Sequence, residues 1–171
     1  LMRWGDSEHQ FVRPVKSLVL MHGERVVKGE VLGCASSNVT RGHRFLSGGA
    51  ITLKNAGEYE GSLNIVGSVV ASFRARRKII AAQLERVAGE LGAVWIGHGN
   101  QSMQELLSLS SLDRCTTSTL LDEVTALVER PNVLTCAFET QFLDVPQECL
   151  ILTMKANQKY FPLVDTQGKL T

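Results

Sequence analysis

A long amphipathic segment over residues 68–92 constrains the fold more than any other feature of the sequence. Its apolar residues recur three, four or seven positions apart, which places them on one stripe of an α-helix. They are Val69, Phe73, Ile80, Leu84, Val87 and Leu91. Ser68 is the predicted N-cap and Gly92 the predicted C-cap of this helix.

The residues before this helix have the pattern of a sheet. Residues 12–21 and 26–32 are rich in Val and Leu and flank Gly23, which predicts a hairpin. Residues 39–45 and 50–53 predict two further strands joined by a turn. A short helix over residues 58–66 is expected to end at Gly67.

The residues after Gly92 alternate between loop, helix and strand patterns. Residues 97–117 are rich in Gly, Ser, Asn and Gln and predict a mobile loop. A helix starting at Ser118 or Thr119, with Asp122 and Glu123 in its first turn, is expected to end at Pro131. A strand over 132–137, a helix over 146–156 and an extended segment over 159–164 follow. The predicted class is α+β, with a mixed, largely antiparallel sheet and packed helices.

Length and composition limit the classes of function. The chain has 171 residues, 18 Lys and Arg against 17 Asp and Glu, and a formal net charge of +1. This length predicts a single domain over residues 1–171. No apolar run approaches the roughly 20 residues of a membrane-spanning helix. Any contact with nucleic acid must come from local cationic patches rather than from the overall charge.

No motif of a known catalytic or metal centre is present in the sequence. The four cysteines include no CxxC pair and no spacing typical of zinc. GxGxxG, P-loop, HExxH and GxSxG patterns do not occur. The missing motifs are weak evidence against catalysis, and they leave open a nucleophile pair such as Cys34 with His43, which the spacing does not favour. We predict no metal site, and the resemblance described below implies no catalytic residue.

Residues 40–45, Thr-Arg-Gly-His-Arg-Phe, form a first cationic cluster. The guanidinium groups of Arg41 and Arg44 and the imidazole of His43 surround a glycine that permits close backbone approach. Arginine suits phosphate oxygens because its donors match their geometry. The residue types leave two interpretations open: a phosphate contact, or a turn at a strand end whose arginines pair with acidic neighbours.

Residues 153–162 form a second cationic cluster at a predicted junction of helix and strand. Lys155 and Lys159 flank Asn157 and Gln158, and Tyr160 follows. The cluster suits convergence on a ligand, or equally a capped junction with its aromatic residues in the core. A third group of cations lies at the start of the long helix: Arg74, Arg76, Arg77 and Lys78. These fit either a solvated helix face or contact with phosphates.

The clusters and three further motifs resemble the β subunit of the bacterial heterotetrameric (α2β2) glycyl-tRNA synthetase. The resemblance extends from Leu1 to Leu170, with the motifs in the family's order. They are Leu1-Met2-Arg3-Trp4-Gly5, Phe11-Val12-Arg13-Pro14-Val15, Arg41-Gly42-His43-Arg44-Phe45, Leu121-Asp122-Glu123-Val124, and Met154-Lys155 with Gln158-Lys159-Tyr160-Phe161-Pro162. Since the family's β subunit is several times longer, we expect an internal piece of such a chain.

The resemblance implies an enzyme subunit that helps join glycine to its tRNA with ATP. It places ATP and the adenylate-forming site on the α subunit, and no cofactor in this piece. The implied partners are the tRNA for glycine, the α subunit and other β-subunit domains, in the cytoplasm and without a membrane. The implied fold is similar to the editing-type domain of the phenylalanyl-tRNA synthetase β subunit.

Two roles for this piece follow from the resemblance. The first is tRNA positioning by a non-catalytic, architectural module. The residues expected to contact tRNA are Arg41, His43, Arg44, Arg74, Arg77, Lys78, Lys155 and Lys159. The alternative is editing-type hydrolysis of misacylated tRNA in a pocket formed by His43, Asn157, Gln158 and Tyr160.

Positioning is the favoured role. The family commonly has His or Asp where this chain has Asn157, and an amide does not titrate. The family also often has His where Lys16 stands. Alanine and serine are larger than glycine, so a synthetic site can exclude them sterically, and the need for a second hydrolytic site is low.

Overall fold

The chain folds into short strand pairs and α-helices. A computed structural model describes residues 3–13, 15–96 and 113–171, and in these ranges all strand pairs but one are antiparallel. The predicted α+β class is confirmed. The chain divides into two compact units, Leu1–Ser72 and Phe73–Thr171. The single-domain extent and the likeness to an editing-type domain stay predictions.

The first unit is mostly sheet. Its strands are β1 (Leu18–Val19), β2 (Met21–His22), β3 (Arg25–Val26), β4 (Glu30–Val31), β5 (Cys34–Ser37), β6 (Val39–Arg41) and β7 (Ala50–Thr52). Strand β5 pairs in parallel with β1 and antiparallel with β4, and β6 pairs antiparallel with β7. The predicted hairpin is confirmed, because β2 pairs with β3 around Gly23, whose φ of +60° glycine adopts without strain.

A short helix closes the first unit. A 3₁₀ turn (Ala56–Glu58) leads into α1 (Tyr59–Ile65), which confirms the helix predicted over 58–66. Leu63 of α1 packs in one buried cluster with Ile51 of β7 and with Leu53, which directly follows that strand. Val19, Met21, Val69 and Ala71 pack against this cluster.

The long helix begins later than its pattern predicts. Helix α2 spans Phe73–Glu90, and Ser68 is not its N-cap but adopts a left-handed φ of +53°. Val69 and Ala71 both pack on the first unit's core, and residues two apart share a face of an extended chain. Burial of these two side chains thus competes with helix formation and delays it. The predicted C-terminus is confirmed, since Gly92 has a φ of +63° and follows the last turn.

The second unit consists of helices around a two-stranded sheet. Its further elements are β8 (Val94–Trp95), α3 (Asp113–Leu127), a 3₁₀ turn (Thr140–Asp144), α4 (Gln147–Thr153), a π-helical turn (Met154–Gln158) and β9 (Leu163–Val164). Strands β8 and β9 pair antiparallel. The core of this unit contains Ile80, Leu84 and Ala88 of α2, Trp95 of β8 and Leu121 of α3.

Several predicted boundaries in the second unit differ from the structure. Most of the mobile loop predicted over 97–117 lies outside the described residues, and its last five residues belong to α3, so Ser118 and Thr119 are not N-caps. Asp122 and Glu123 consequently lie inside a helix rather than in its first turn. Residues 132–137 form no strand. The helix predicted after Pro146 is confirmed. None of the described helices is both long and apolar enough to span a lipid bilayer.

Candidate nucleic-acid interface

The first cationic cluster lies where strand β6 ends and a loop begins. Arg41 is the last residue of β6 and is exposed, and Arg44 is exposed in the loop that follows. His43 N–H donates to the carbonyl of Gly67 at 2.7 Å, and Ser47 N–H donates to the carbonyl of His43 at 3.0 Å. The loop is therefore held to the end of α1 through its backbone, which fixes the positions from which the two arginine side chains extend into solvent.

Two glycines make this attachment possible. A Cβ atom at Gly42 would lie 2.3 Å from both the Cα and the carbonyl oxygen of Gly67. A Cβ atom at Gly67 would lie 2.7 Å from the carbonyl oxygen of Leu63. Because real Cβ atoms do not approach backbone so closely, a larger residue at Gly42 would push the loop away from Gly67, and one at Gly67 would distort the end of α1. The backbone that lies close to Gly42 is thus that of Gly67 in the same chain, not that of a ligand.

The side chains of the loop form a small group around one exposed aromatic ring. Phe45 is 82% exposed, and the guanidinium carbon of Arg44 lies 5.6 Å from its ring centroid. The ring of His43 lies 6.1 Å from that of Phe45. Phe45 N–H donates to His43 Nδ1 at 3.2 Å, so this ring nitrogen acts as an acceptor within the loop. Nothing in the sequence pattern indicated that Phe45 would be exposed.

The cations at the start of α2 have different partners. Arg77 Nε donates to Asp122 Oδ1 of α3 at 2.6 Å, and Arg76 Nε donates to the carbonyl oxygen of Thr125 at 3.0 Å. Arg74 and Lys78 are exposed, and no carboxylate among the described residues pairs with them. Two of these cations, Arg76 and Arg77, therefore bind α3, and the other two face solvent.

The second cationic cluster surrounds the π-helical turn. Lys159 ends this turn with a left-handed φ of +59°, and its Nζ lies 3.0 Å from Glu123 Oε2 of α3. Lys155 is half-buried and makes contacts of its own. Phe161 packs edge-on against Trp95 at 5.7 Å between ring centroids. The contacts of Lys159 and Phe161 are those of a structural junction, as one of the two interpretations expects. Tyr160, which that interpretation places in the core, is instead 54% exposed.

Neither unit contains all four residues of the predicted pocket. His43 belongs to the first unit and the other three to the second, where Asn157, Gln158 and Tyr160 are exposed. The second unit has an open cavity of about 300 Å³ that other residues line. They are Leu143, Asp144, Val145, Pro146, Gln147, Leu150, Lys169 and Leu170. Within the described ranges, no three His, Cys, Asp or Glu residues are grouped so that they could hold a metal ion.

Sequence reasoning missed the acidic partners of these cations. Asp122 stands 45 positions from Arg77, and their ion pair joins two helices. The signal in the sequence is the adjacent pair of acids at 122 and 123, which the predicted helix start assigns to compensation of the helix dipole. Once α3 is known to begin at Asp113, helix-dipole compensation no longer accounts for them.

Comparison with known proteins gives one consistent match. The family model for the glycyl-tRNA synthetase beta subunit matches residues 1–171. A glycine–tRNA ligase beta subunit of Polaromonas naphthalenivorans is 53% identical over 168 residues, which cover 98% of this chain and 21% of the relative. Those of Neisseria meningitidis serogroup C (strain 053442) and Aromatoleum aromaticum are 51% and 50% identical over 170 residues, or 99% of this chain and 22% of each relative. The chain thus spans about a fifth of the length of these relatives.

Proposed function

The chain belongs to the family of glycyl-tRNA synthetase β subunits, and from this premise we propose that it serves a glycine–tRNA ligase as a non-catalytic module contacting the tRNA backbone. The names of the relatives support an enzyme that acts on tRNA. In this proposal ATP and glycine react on a partner α subunit. This chain and the remaining β-subunit domains position the tRNA.

The exposed, unpaired arginines of the first cationic cluster are the observation that carries this proposal. Among the described residues, no carboxylate pairs with Arg41 or Arg44. A guanidinium without an acidic partner keeps its donors available, and phosphate oxygens accept such donors in bidentate geometry. The loop's backbone contacts with Gly67 hold both arginines near a fixed position, which lowers the entropic cost of binding.

In the second unit, the proposal assigns direct contact with phosphates to Arg74 and Lys78. Arg77 and Lys159 form ion pairs with Asp122 and Glu123 and are assigned a structural role. These half-exposed pairs are each worth about 0–1 kcal/mol, so they fix side-chain positions more than they stabilise the fold. His43 organises the loop through its ring nitrogen, and contact by Lys155 stays a prediction.

Hydrolysis of misacylated tRNA is the less favoured function. A hydrolytic site needs a group that activates one positioned water molecule in a cleft that excludes bulk solvent. Asn157 and Gln158 are amides on an exposed turn, and Tyr160 beside them is also exposed. His43 already accepts a backbone hydrogen bond at Nδ1. Binding of RNA phosphates by exposed cations requires neither an activating group nor a cleft.

Steady-state kinetics of the full-length protein with its partner subunit test the proposal. We expect the double substitution Arg41→Ala and Arg44→Ala to raise KM for tRNA roughly tenfold, because it removes two charge-assisted hydrogen-bonding groups. KM for glycine and for ATP should not change. Arg25→Ala with Lys28→Ala is the matched control, since it removes two exposed cations from the same unit. An unchanged KM for tRNA, or an equal rise in the control, would refute the proposal.

A further inference from the structure

Phe45 is exposed to a degree that the stability of the fold does not explain. It is 82% exposed and packs in neither hydrophobic core. Its backbone is nevertheless fixed, because its own N–H bonds to His43 Nδ1 and His43 N–H bonds to Gly67. The chain therefore holds a large aromatic ring in solvent at a defined place, which is the arrangement of a preorganised contact.

The immediate neighbours of the ring are cationic. The guanidinium carbon of Arg44 lies 5.6 Å from the ring centroid, within the range of a cation–π interaction. Arg41 lies at the base of the same loop, at the end of β6. Guanidinium groups next to an open aromatic face suit a ligand that offers a flat π-system and a phosphate together.

We propose that Phe45 and Arg44 form a stacking platform for an unpaired nucleobase of the bound RNA, with Arg41 contacting a neighbouring phosphate. The inference rests on the proposed function and adds to it the class of nucleotide that the loop accepts. Bases within a helix have no free face, so the ligand is a single-stranded segment, a loop or an end. Such stacking tolerates any base, since every base has a π-face.

An apolar protein partner is the competing occupant of this surface. Leu46 in the loop and Ile65 and Val66 at the end of α1 are also exposed, and with Phe45 they would suit a hydrophobic contact. Charge favours RNA, because burying Arg41 and Arg44 against an apolar surface would leave two guanidinium groups without water or partner. RNA supplies phosphates for both. Docking of a protein is thus an outcome that the experiment must separate.

Binding of the full-length protein to a transcript of the glycine tRNA, measured over a range of salt concentrations, tests the inference. We expect Phe45→Ala to weaken binding roughly 5- to 100-fold at each salt concentration, with no change in the salt slope, since stacking releases no counterions. Phe45→Trp should retain the affinity and Phe45→Leu should not. Ile65→Ala is the matched control, because Ile65 is also 82% exposed in the same unit. It should bind like the unsubstituted protein.

The contrary results are distinct from one another. Wild-type affinity for the transcript in Phe45→Leu would overturn stacking, because leucine is apolar but has no π-face. Wild-type affinity in every Phe45 variant is the result expected if this surface docks a protein instead. Wild-type affinity in Phe45→Ala would overturn stacking while leaving the proposed function intact, provided that Arg41→Ala with Arg44→Ala still weakens binding. If none of these variants changes binding, the proposed function fails as well.

Discussion

At the scale of single residues, the position of the first cationic cluster depends on two glycines. The sequence predicts that Gly42 allows a close backbone approach but not what approaches, because Gly67 is distant in the chain. In the structure the two backbones lie against each other, and His43 N–H bonds to the Gly67 carbonyl oxygen at 2.7 Å. The residue type was therefore readable from sequence, whereas the contact that requires it was not.

Gly42→Ala tests this contact without removing a charge. Its Cβ would meet backbone atoms at 2.3 Å, so the loop must shift. We expect the free energy of unfolding to fall by about 1–3 kcal/mol, the usual effect of overpacking. We also expect tRNA binding to weaken although every cation is retained. Urea unfolding and a binding titration measure the two effects.

Gly48→Ala is the control for this substitution. Gly48 lies in the same loop, and a Cβ there would meet no atom within 4 Å. Its stability and its tRNA binding should match those of the unsubstituted chain. If the two glycine variants are equally stable, the close approach of Gly42 to Gly67 contributes nothing and the residue-scale explanation is wrong.

At the scale of elements, the start of helix α2 carries an unfavourable charge pattern. Arg74, Arg76, Arg77 and Lys78 lie near its N-terminus, and its first turn has no acidic residue. Cations in the first turn of a helix, here Arg74 and Arg76, are disfavoured by the helix dipole, typically by about 0.3–1 kcal/mol each, and the effect is weaker for Arg77 and Lys78 in the second turn. Helix α3 offsets this for Arg76 and Arg77 through Thr125 and Asp122. Arg74 and Lys78 remain as like charges four residues apart, an arrangement that an anion would stabilise.

Substitution of these exposed cations should lower the salt dependence of tRNA binding. The slope of the logarithm of the binding constant against the logarithm of salt concentration is negative. For Arg74→Ala with Lys78→Ala in the full-length protein, we expect this slope to become shallower by about one for each phosphate that the protein no longer neutralises. The control is Arg77→Ala with Arg86→Ala on the same helix, where Asp122 and Glu90 already pair with the two arginines. Its slope should stay near that of the unsubstituted protein. Equal slopes for the two double variants would show that unpaired cations contact phosphates no more than paired ones do, which would contradict the prediction.

The elements also show where sequence patterns succeed and fail. The predictions of a turn at Gly23 and a helix C-cap at Gly92 are confirmed, because a left-handed backbone is readily adopted only by glycine. The start of α2 was misplaced because Val69 and Ala71 serve the first unit's core, and a local pattern contains no information on that packing. The assignment of Asp122 and Glu123 failed for the related reason that it depended on where α3 begins.

At the scale of the whole molecule, periodicity predicts elements but not which of them share a core. The structure has one core in each unit, formed by Ile51, Leu53 and Leu63 in the first and centred on α2 in the second. Likewise, cationic clusters are visible in the sequence, but their pairing with acids depends on tertiary contacts such as that between Arg77 and Asp122. With a net charge of only +1, the chain exerts little long-range attraction on RNA, so the proposed function depends on individually placed cations.

Photo-cross-linking tests most directly whether the first cationic cluster contacts RNA. A photoreactive benzophenone analogue of phenylalanine would replace Phe45 in the full-length protein, which is then mixed with the glycine tRNA and irradiated. The same analogue in place of Leu134, 75% exposed in the second unit, is the control. We predict an adduct between position 45 and an unpaired nucleotide, abolished by excess unlabelled tRNA and absent from the control. Adducts of position 45 with protein alone, or equal RNA yields at both positions, would contradict the account.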